Sequence, residues 1–326
     1  MTMTASTPPS RRARISAPGL DAMAPFIGAV LLIGLGSLAF PQLLSATYLL
    51  QQMQIAAYLG ILATGATLVV LLGHIDLSVP WVLTGAAIVS TSLVGTGDPT
   101  LAALAIPAAL AFGAVIGVVN GVGVAFLRIP SMVWTLAVNS MLLGLAVLNT
   151  GGFNPRGEAS AAMTFMATGD IGPLPASFVL WMALALALGL MMARTAFGRY
   201  LRSIGFNEKA TYLSGVATPL VVIGAFVLAA MCSAFAGVLL AGYANQAYQS
   251  MGDPFLLPTI AAVVIGGTSI LGGRGGLFGT IGGAMFITLL TSILSIMQVD
   301  QAWRNIIFGA IILAMLLFQS LRRRAG

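Results

Sequence analysis

One histidine, one aspartate and one serine alternate along the segment LLGHIDLSVPW, residues 71–81, between two long apolar runs. His74, Asp76 and Ser78 can each exchange a proton or contact a polar solute, and ionisable groups bordered by apolar sequence are functional candidates. Asp76 can instead cap the helix that the following apolar run predicts, which would be a structural role. The pattern alone leaves both roles open.

Few other residues could support covalent or metal chemistry. His74 is the only histidine and Cys232 the only cysteine, so a His/Cys metal cluster and a Ser-His-Asp triad both lack support. The only lysine, Lys209, follows Glu208 and not the glycine of an ATP-binding phosphate loop. We therefore expect no catalytic residue, no metal or cofactor on this chain, and no ATP hydrolysis by it.

The longest polar segment inside the chain, residues 194–218, contains a short helical pattern, FNEKATYLSG. Asn207 is a suitable N-cap, Glu208 suits the first turn, and Gly215 suits the end of the helix. Such a surface helix could dock on a partner, while a solvated linker is the alternative. The residues expected to make the partner contact are Asn207, Glu208, Lys209, Leu213, Ser214 and Gly215.

A glycine-rich stretch, residues 266–283, holds nine glycines in eighteen residues, with Arg274 at its centre. This density permits positive φ and a close approach of two helices. It predicts a tight hairpin, and Gly272, Gly273 and Arg274 are further candidates for contacting a partner.

The elements that position these segments follow from composition. The chain has 326 residues, of which 59% are hydrophobic and 7% charged, against about 25% charged in a soluble domain. Its charges separate uncharged windows of about the 20 residues that a membrane-spanning helix needs, and no window alternates in polarity like a β-barrel strand. The sequence predicts an all-α polytopic membrane protein of about ten spans, with the first window divided at residues 40–54. The windows are 22–75, 77–97, 99–127, 129–155, 171–193, 210–252, 254–273, 275–299 and 305–321.

A few polar side chains fall inside these windows, where an amide facing lipid would lack hydrogen-bond partners. They are candidates for lining a substrate passage, although hydrogen bonds between helices would explain them equally well. The passage candidates are Gln52, Gln54, Asp76, Asn120 and Asn139.

The distribution of basic residues predicts the orientation, because they concentrate in cytoplasmic loops. With the N-terminus inside, twelve of fourteen basic residues fall on the inner side, leaving Arg156 and Arg304 outside. We expect a cytoplasmic tail at 1–22, a transmembrane domain at 23–321 with an outer loop at 151–173, and a cytoplasmic tail at 322–326. The net charge of +6 then reflects membrane insertion and not nucleic-acid binding. The inner residues are Arg11, Arg12, Arg14, Arg128, Arg194, Arg199, Arg202, Lys209, Arg274, Arg322, Arg323 and Arg324.

Four motifs resemble the permease family of the ribose and xylose ABC importers, and the likeness covers roughly residues 48–320. They are LLGHIDLSVPW, GVVNGVGVAFLRIPSMVWTLAVNSMLLGLAVLNTGG, TAFGRYLRSIGFNEKATYLSGV and TIAAVVIGGTSILGGRGG. Two departures are Pro80, where the family has glycine, and Leu256–Pro258, where it has acidic residues.

The resemblance implies a permease subunit of an ATP-driven importer in the bacterial inner membrane, carrying a monosaccharide or sugar-like molecule into the cytoplasm. Its implied partners are an ABC ATPase subunit with ATP and Mg, a periplasmic sugar-binding protein, and a second permease copy or a paralogous permease. Residues 207–215 would form the helix that couples to the ATPase, with the turn at 272–276 beside it. An inverted repeat of spans 2–5 and 7–10 is also implied.

Two other transporter classes stay open. An ABC permease for branched-chain amino acids or nucleosides would share the coupling segments and differ mainly in the passage. An ion-coupled secondary transporter would need membrane-embedded ionisable groups, for which only His74 and Asp76 are candidates.

Overall fold

The structure is a computed structural model that describes residues 20–152, 155 and 157–324. These residues form twelve α-helices, two short 3-10 helices at Pro41–Leu44 and Asp253–Phe255, and a two-stranded pairing of Asp170–Ile171 with Leu174–Pro175. The prediction of an all-α protein is confirmed. The helices are α1 (Leu20–Ala39), α2 (Ala46–Leu71), α3 (Val79–Val94), α4 (Pro99–Ala125), α5 (Ser131–Thr150), α6 (Ala161–Thr168), α7 (Ala176–Arg194), α8 (Ala196–Leu213), α9 (Thr218–Ala244), α10 (Leu256–Ile265), α11 (Leu277–Ile296) and α12 (Gln301–Arg324).

Each predicted span contains one apolar helix, and the first window divides at Pro41 as expected. Among the described residues, seven helices are long and apolar enough to cross a membrane, namely α1, α2, α4, α5, α7, α9 and α11. The apolar parts of α3, α10 and α12 are shorter. The predicted tails lie largely beyond the described residues, although α1 begins at Leu20 and α12 continues to Arg324.

The short helices α3 and α10 each follow a segment without α-helix that enters the protein interior. After α2, residues 72–78 run from His74, which lies beside Phe226 on α9, to the start of α3. Within α3, Leu83 packs on Gly237 of α9. After α9, residues 245–255 turn inward until Gly252 packs on Pro80. Pro80 and Pro258 both lie in stretches that depart from the family pattern, and they occupy the first turns of α3 and α10, where proline sacrifices no helical hydrogen bond.

Helices α2 and α9 form the centre of the protein and run antiparallel. His74 lies beside Phe226, Gly65 packs on Ala229 and Cys232, and Tyr58 lies beside Tyr243. The helix contacts around them come in matched pairs. Helix α4 packs on α9, and α11 packs on α2 in the corresponding way. Likewise, α3 packs on α9 and α10 on α2, while α5 packs on α3 and α12 on α10. These matched contacts between spans 2–5 and spans 7–10 are the ones that an inverted repeat predicts.

Helix α4 approaches the α9 backbone through glycines spaced four residues apart, at Gly113, Gly117 and Gly121. A Cβ at Gly117 would lie 2.5 Å from Val227 Cα and 2.8 Å from the Phe226 carbonyl oxygen. Small residues at this spacing allow helices to pack closely in a membrane. The α4–α9 contact therefore requires glycine at these positions.

Gly117→Leu should separate α4 from α9 and destabilise the detergent-solubilised protein by about 3 kcal/mol or more, because overpacking a close helix contact forces backbone shifts. Thermal unfolding followed by size-exclusion chromatography measures this effect. Gly144→Leu on α5, where nothing lies within 4 Å of the added Cβ, is the control. Equal stability of the two variants would contradict the packing described here.

Candidate coupling surface and polar centre

Four connections between helices meet at one end of the molecule. Residues 72–78, 126–130, 195–217 and 266–276 contact one another through Gly73 with Leu271, Gly205 with Gly273, and Arg128 with Glu208. Because Arg128, Arg199, Arg202, Lys209 and Arg274 are in these connections, we name this the basic end.

Helix α8 is two helical segments joined at Asn207, whose backbone is extended at φ −162° and ψ 99°. The Asn207 Oδ1 accepts a hydrogen bond from the Ala210 N–H at 2.9 Å, which is the geometry of an N-cap. At the other end, Gly215 adopts φ +85°, and its N–H donates to the Tyr212 carbonyl. The predicted cap and terminator of this helix are therefore both confirmed.

The first part of α8, before Asn207, was not predicted from the sequence. Leu201 and Ile204 are fully buried there, and with Phe197 they follow a spacing of four and three residues. That periodicity indicates an amphipathic helix and could have revealed it.

Glu208 begins the second segment of α8 and pairs with Arg128 of the α4–α5 connection, with 2.6 Å between Oε1 and Nη1. Both side chains are partly exposed, at 61% for Arg128 and 37% for Glu208. Such a pair adds at most about 1 kcal/mol to stability. Its position matters more, because it joins α8 to the connection between two spans.

Three glycines bring α8 against two other connections at the basic end. The Gly273 N–H donates to the Leu71 carbonyl at 2.9 Å, closing the glycine-rich turn onto the end of α2. A Cβ at Gly205 would overlap both of these backbone groups, and one at Gly272 would lie 2.8 Å from Gly73 N. The glycine-rich turn therefore lies beside α8, as the resemblance implied.

The basic end also exposes large apolar side chains outside the spans. Phe206, Tyr212 and Leu213 on α8 are 65%, 59% and 76% exposed, and Leu271 in the glycine-rich turn is 64% exposed. Lys209 and Arg274 are exposed on the same two elements. We name these six residues the docking surface. Exposed apolar groups with a polar rim are typical of protein interaction sites.

A buried polar cluster forms where α3 begins. The Asp76 Oδ1 accepts hydrogen bonds from the Ser78 N–H at 2.8 Å and the Ser78 hydroxyl at 2.6 Å, and Asn120 Nδ2 donates to Ser78 Oγ at 2.7 Å. Asp76 thus forms a turn before the helix and does not itself occupy the N-cap position, which is Ser78. We name Asp76, Ser78 and Asn120 the polar centre.

Side chains from α5 hold the extended segment that carries the polar centre. Ser131 Oγ and Thr135 Oγ1 accept the backbone N–H groups of Ile75 and Leu77, at 3.3 and 2.9 Å. Non-helical backbone at membrane depth needs such partners within the protein. The pairing of these two hydroxyls with residues 75 and 77 was not predicted, since no local signal in the sequence links them.

Comparison with known proteins adds the decisive observation. Residues 48–316 match the family described as "Branched-chain amino acid transport system / permease component". The chain belongs to this permease family.

Individual relatives are similar over nearly the whole permease. The ribose import permease protein of Haemophilus influenzae is 30% identical over 298 residues, covering 90% of this chain and 91% of the relative. That of Escherichia coli K12 is 34% identical over 290 residues, covering 88% and 90%. The autoinducer 2 import system permease protein of E. coli K12/DH10B is 33% identical over 301 residues, covering 92% and 86%. No solved structure matches.

These matches confirm that the chain is a multi-pass transport permease of the predicted family and not an enzyme. Within the described residues, no group of three or more His, Cys, Asp or Glu side chains could hold a metal ion.

The structure divides the five passage candidates of the permease among three places. Asp76 and Asn120 meet in the polar centre. Gln52 bonds Ser292 on α11 and Gln54 bonds Tyr58, both in the half of α2 far from the basic end. Asn139 lies on α5 with its Oδ1 buried and unpartnered. Only Asp76 and Asn120 belong to one cluster.

His74 lies beside the polar centre but opens toward the basic end of the permease. It lines a cavity of 510 Å³ together with Arg128, Glu208 and Ser131. Burial lowers the pKa of His74 below its usual value, and the opposing effect of Glu208 is smaller. We therefore expect a neutral imidazole at pH 7, which can accept or donate a hydrogen bond.

Proposed function

We propose that this chain is the membrane-spanning subunit of an ATP-driven importer that carries a monosaccharide or sugar-like molecule into the cytoplasm. The relatives named for ribose and autoinducer 2 import support the substrate class. The observation that carries the coupling part is the docking surface, where a capped helix and a glycine-rich turn present exposed apolar and basic side chains together. A helix built this way can transmit movement of a soluble partner into the spans.

The proposed orientation places the basic end in the cytoplasm. It follows from the positive-inside rule applied to Arg128, Arg194, Arg199, Arg202 and Arg274, with both termini on the same side. The opposite end exposes Asp98, Glu158, Asp170 and Asp300. The protein would then lie in the bacterial inner membrane with its docking surface facing the ATPase.

The proposed importer needs three partners besides this chain. An ABC ATPase subunit binds ATP and Mg and meets the docking surface, with Asn207, Glu208, Leu213, Ser214 and Gly215 on the contacting helix. A periplasmic binding protein delivers the sugar at the opposite end. A second permease, either a copy or a paralogue, completes the membrane part.

The polar centre is the best-supported part of the proposed passage, because hydrogen bonds join two of the passage candidates there, Asp76 and Asn120, through Ser78. A neutral polyhydroxyl molecule suits it, because the centre has one carboxylate, one hydroxyl and one amide. The description of the family favours a branched-chain amino acid as the second candidate substrate. None of the three side chains of the polar centre is cationic, however, so the centre itself offers no positive charge to an amino acid's carboxylate.

Asn120→Leu should reduce sugar uptake about tenfold or more at unchanged membrane abundance, because it removes the hydrogen bond to Ser78 and places an apolar side chain in the polar centre. Uptake of labelled sugar by whole cells measures this. Asn139→Leu, on a helix outside the cluster, is the matched control. Full uptake by the Asn120 variant would remove Asn120 from the passage.

Purification of the tagged chain from detergent-solubilised membranes of its own organism tests the proposed assembly. We expect an ATP-binding subunit to copurify, and its ATPase activity to rise with a sugar and its binding protein. Stimulation by a branched-chain amino acid would select the second candidate. Recovery of the chain without an ATPase would contradict the proposal.

A further inference from the structure

A small cavity lies between the two inward segments that lead into α3 and α10. It has a volume of about 20 Å³ and is bordered by α2, by the segment that leads into α3, and by α10. Its lining residues are apolar except for Asp76, in the segment before α3, and Thr259, on α10. A space of this size admits one water molecule, for which 10–15 Å³ is roughly the minimum.

Both polar residues of this cavity have unused hydrogen-bonding capacity. Thr259 is 2% exposed, and its Oγ1 is buried without a partner. Asp76 is 7% exposed, and both bonds from Ser78 go to Oδ1, so no described donor reaches Oδ2. Leaving the buried Thr259 hydroxyl unpaired is unfavourable, most of all at membrane depth.

We propose that this cavity is a binding site for a single water molecule that bridges Asp76 and Thr259. Water can donate one hydrogen bond to the carboxylate and a second to the hydroxyl oxygen, or it can accept a hydrogen bond from the hydroxyl. Two polar partners on different elements and room for one molecule meet the requirements of a buried structural water. A bound metal ion fits less well, since only two side-chain oxygens face the cavity.

The water would join the two halves of the repeat. Asp76 precedes α3 in the first half, and Thr259 lies on α10 in the second half. A direct bond between these halves lies nearby, where the Gly252 N–H donates to Thr84 Oγ1 at 3.0 Å. A bridging water can change partners when α3 and α10 shift, whereas a direct side-chain contact would fix their spacing. The site therefore makes Thr259 a positioning residue for Asp76.

A structure of the detergent- or nanodisc-embedded protein at a resolution that shows ordered water tests the proposal directly. We expect one peak within hydrogen-bond distance of both Asp76 and Thr259 Oγ1, and its loss in Thr259→Val. An empty cavity, or direct contact between the two side chains, would overturn the proposal. Density coordinated by four or more oxygens, or a melting temperature that depends on Na⁺ at constant ionic strength, would identify a cation and overturn it too.

Stability measurements provide a second readout if a variant resists structure determination. Thr259→Val should lower the melting temperature by about 5 °C, because the water loses a partner and Asp76 loses the water. Thr259→Ser keeps the hydroxyl and should stay close to the parent. Thr291→Val is the control, since the Thr291 hydroxyl bonds the Ile287 carbonyl of its own helix. Equal melting temperatures for the Val and Ser variants at position 259 would contradict the bridge.

Discussion

Glu208→Arg should reduce sugar uptake about tenfold or more, while the protein still inserts and the spans fold normally. The change replaces the Arg128–Glu208 pair with two like charges at the start of the second segment of α8. Because the pair is half exposed, its loss costs the fold little. The repulsion instead displaces the second segment of α8 from the α4–α5 connection, and the proposed partner then meets a misplaced helix.

Uptake of labelled sugar and the ATPase activity of the copurified complex measure this loss of coupling. The exchanged pair, Arg128→Glu with Glu208→Arg, restores opposite charges and should recover much of the uptake. Glu208→Gln removes the attraction without repulsion and should fall between the two. Normal uptake by a stably inserted Glu208→Arg protein would show that this helix does not couple transport to ATP hydrolysis.

Gly205→Val should prevent α8 from packing against the end of α2 and the glycine-rich turn. We expect both sugar uptake and copurification of the ATPase to be lost. A Cβ at position 205 would overlap the Leu71 carbonyl and the Gly273 N–H, which are hydrogen-bonded to each other at 2.9 Å. Backbone groups cannot swing aside as a flexible side chain can, so α8 or the glycine-rich turn must move. The docking surface, which draws residues from both elements, would lose its shape.

Gly276→Ala is the matched control for this variant. Gly276 belongs to the same turn, its φ of 179° is open to any residue, and nothing lies within 4 Å of an added Cβ. We expect unchanged uptake and ATPase binding for this protein. Full activity of Gly205→Val would contradict the close contact of α8, α2 and the turn.

The sequence was sufficient to predict the ten apolar helices and both ends of the second segment of α8, because both depend on local signals. Uncharged windows of spanning length determine the helices, and Asn207 and Gly215 have the cap and terminator geometry that their residue types favour. The pair of inward segments at 72–78 and 245–255 was not predicted, although Pro80 and Pro258 mark the helix starts that follow them.

Contacts between distant segments were beyond sequence reasoning. Nothing local pairs Arg128 with Glu208, or Gly205 with Leu71 and Gly273, because these residues meet only after the spans have packed. For the same reason, the sequence could not show which polar residues of the spans lie together. Asp76 and Asn120 share a cluster, whereas Gln52 lies in the other half of α2 and bonds Ser292.

Uptake by the purified complex in proteoliposomes is the measurement that tests the central claim most directly. The permease, its copurified ATPase and the binding protein would be reconstituted with ATP and Mg on the ATPase side and labelled sugar on the other. We predict accumulation that requires ATP hydrolysis and is lost with a non-hydrolysable analogue. Uptake by the chain alone, driven by an ion gradient and indifferent to ATP, would contradict the account.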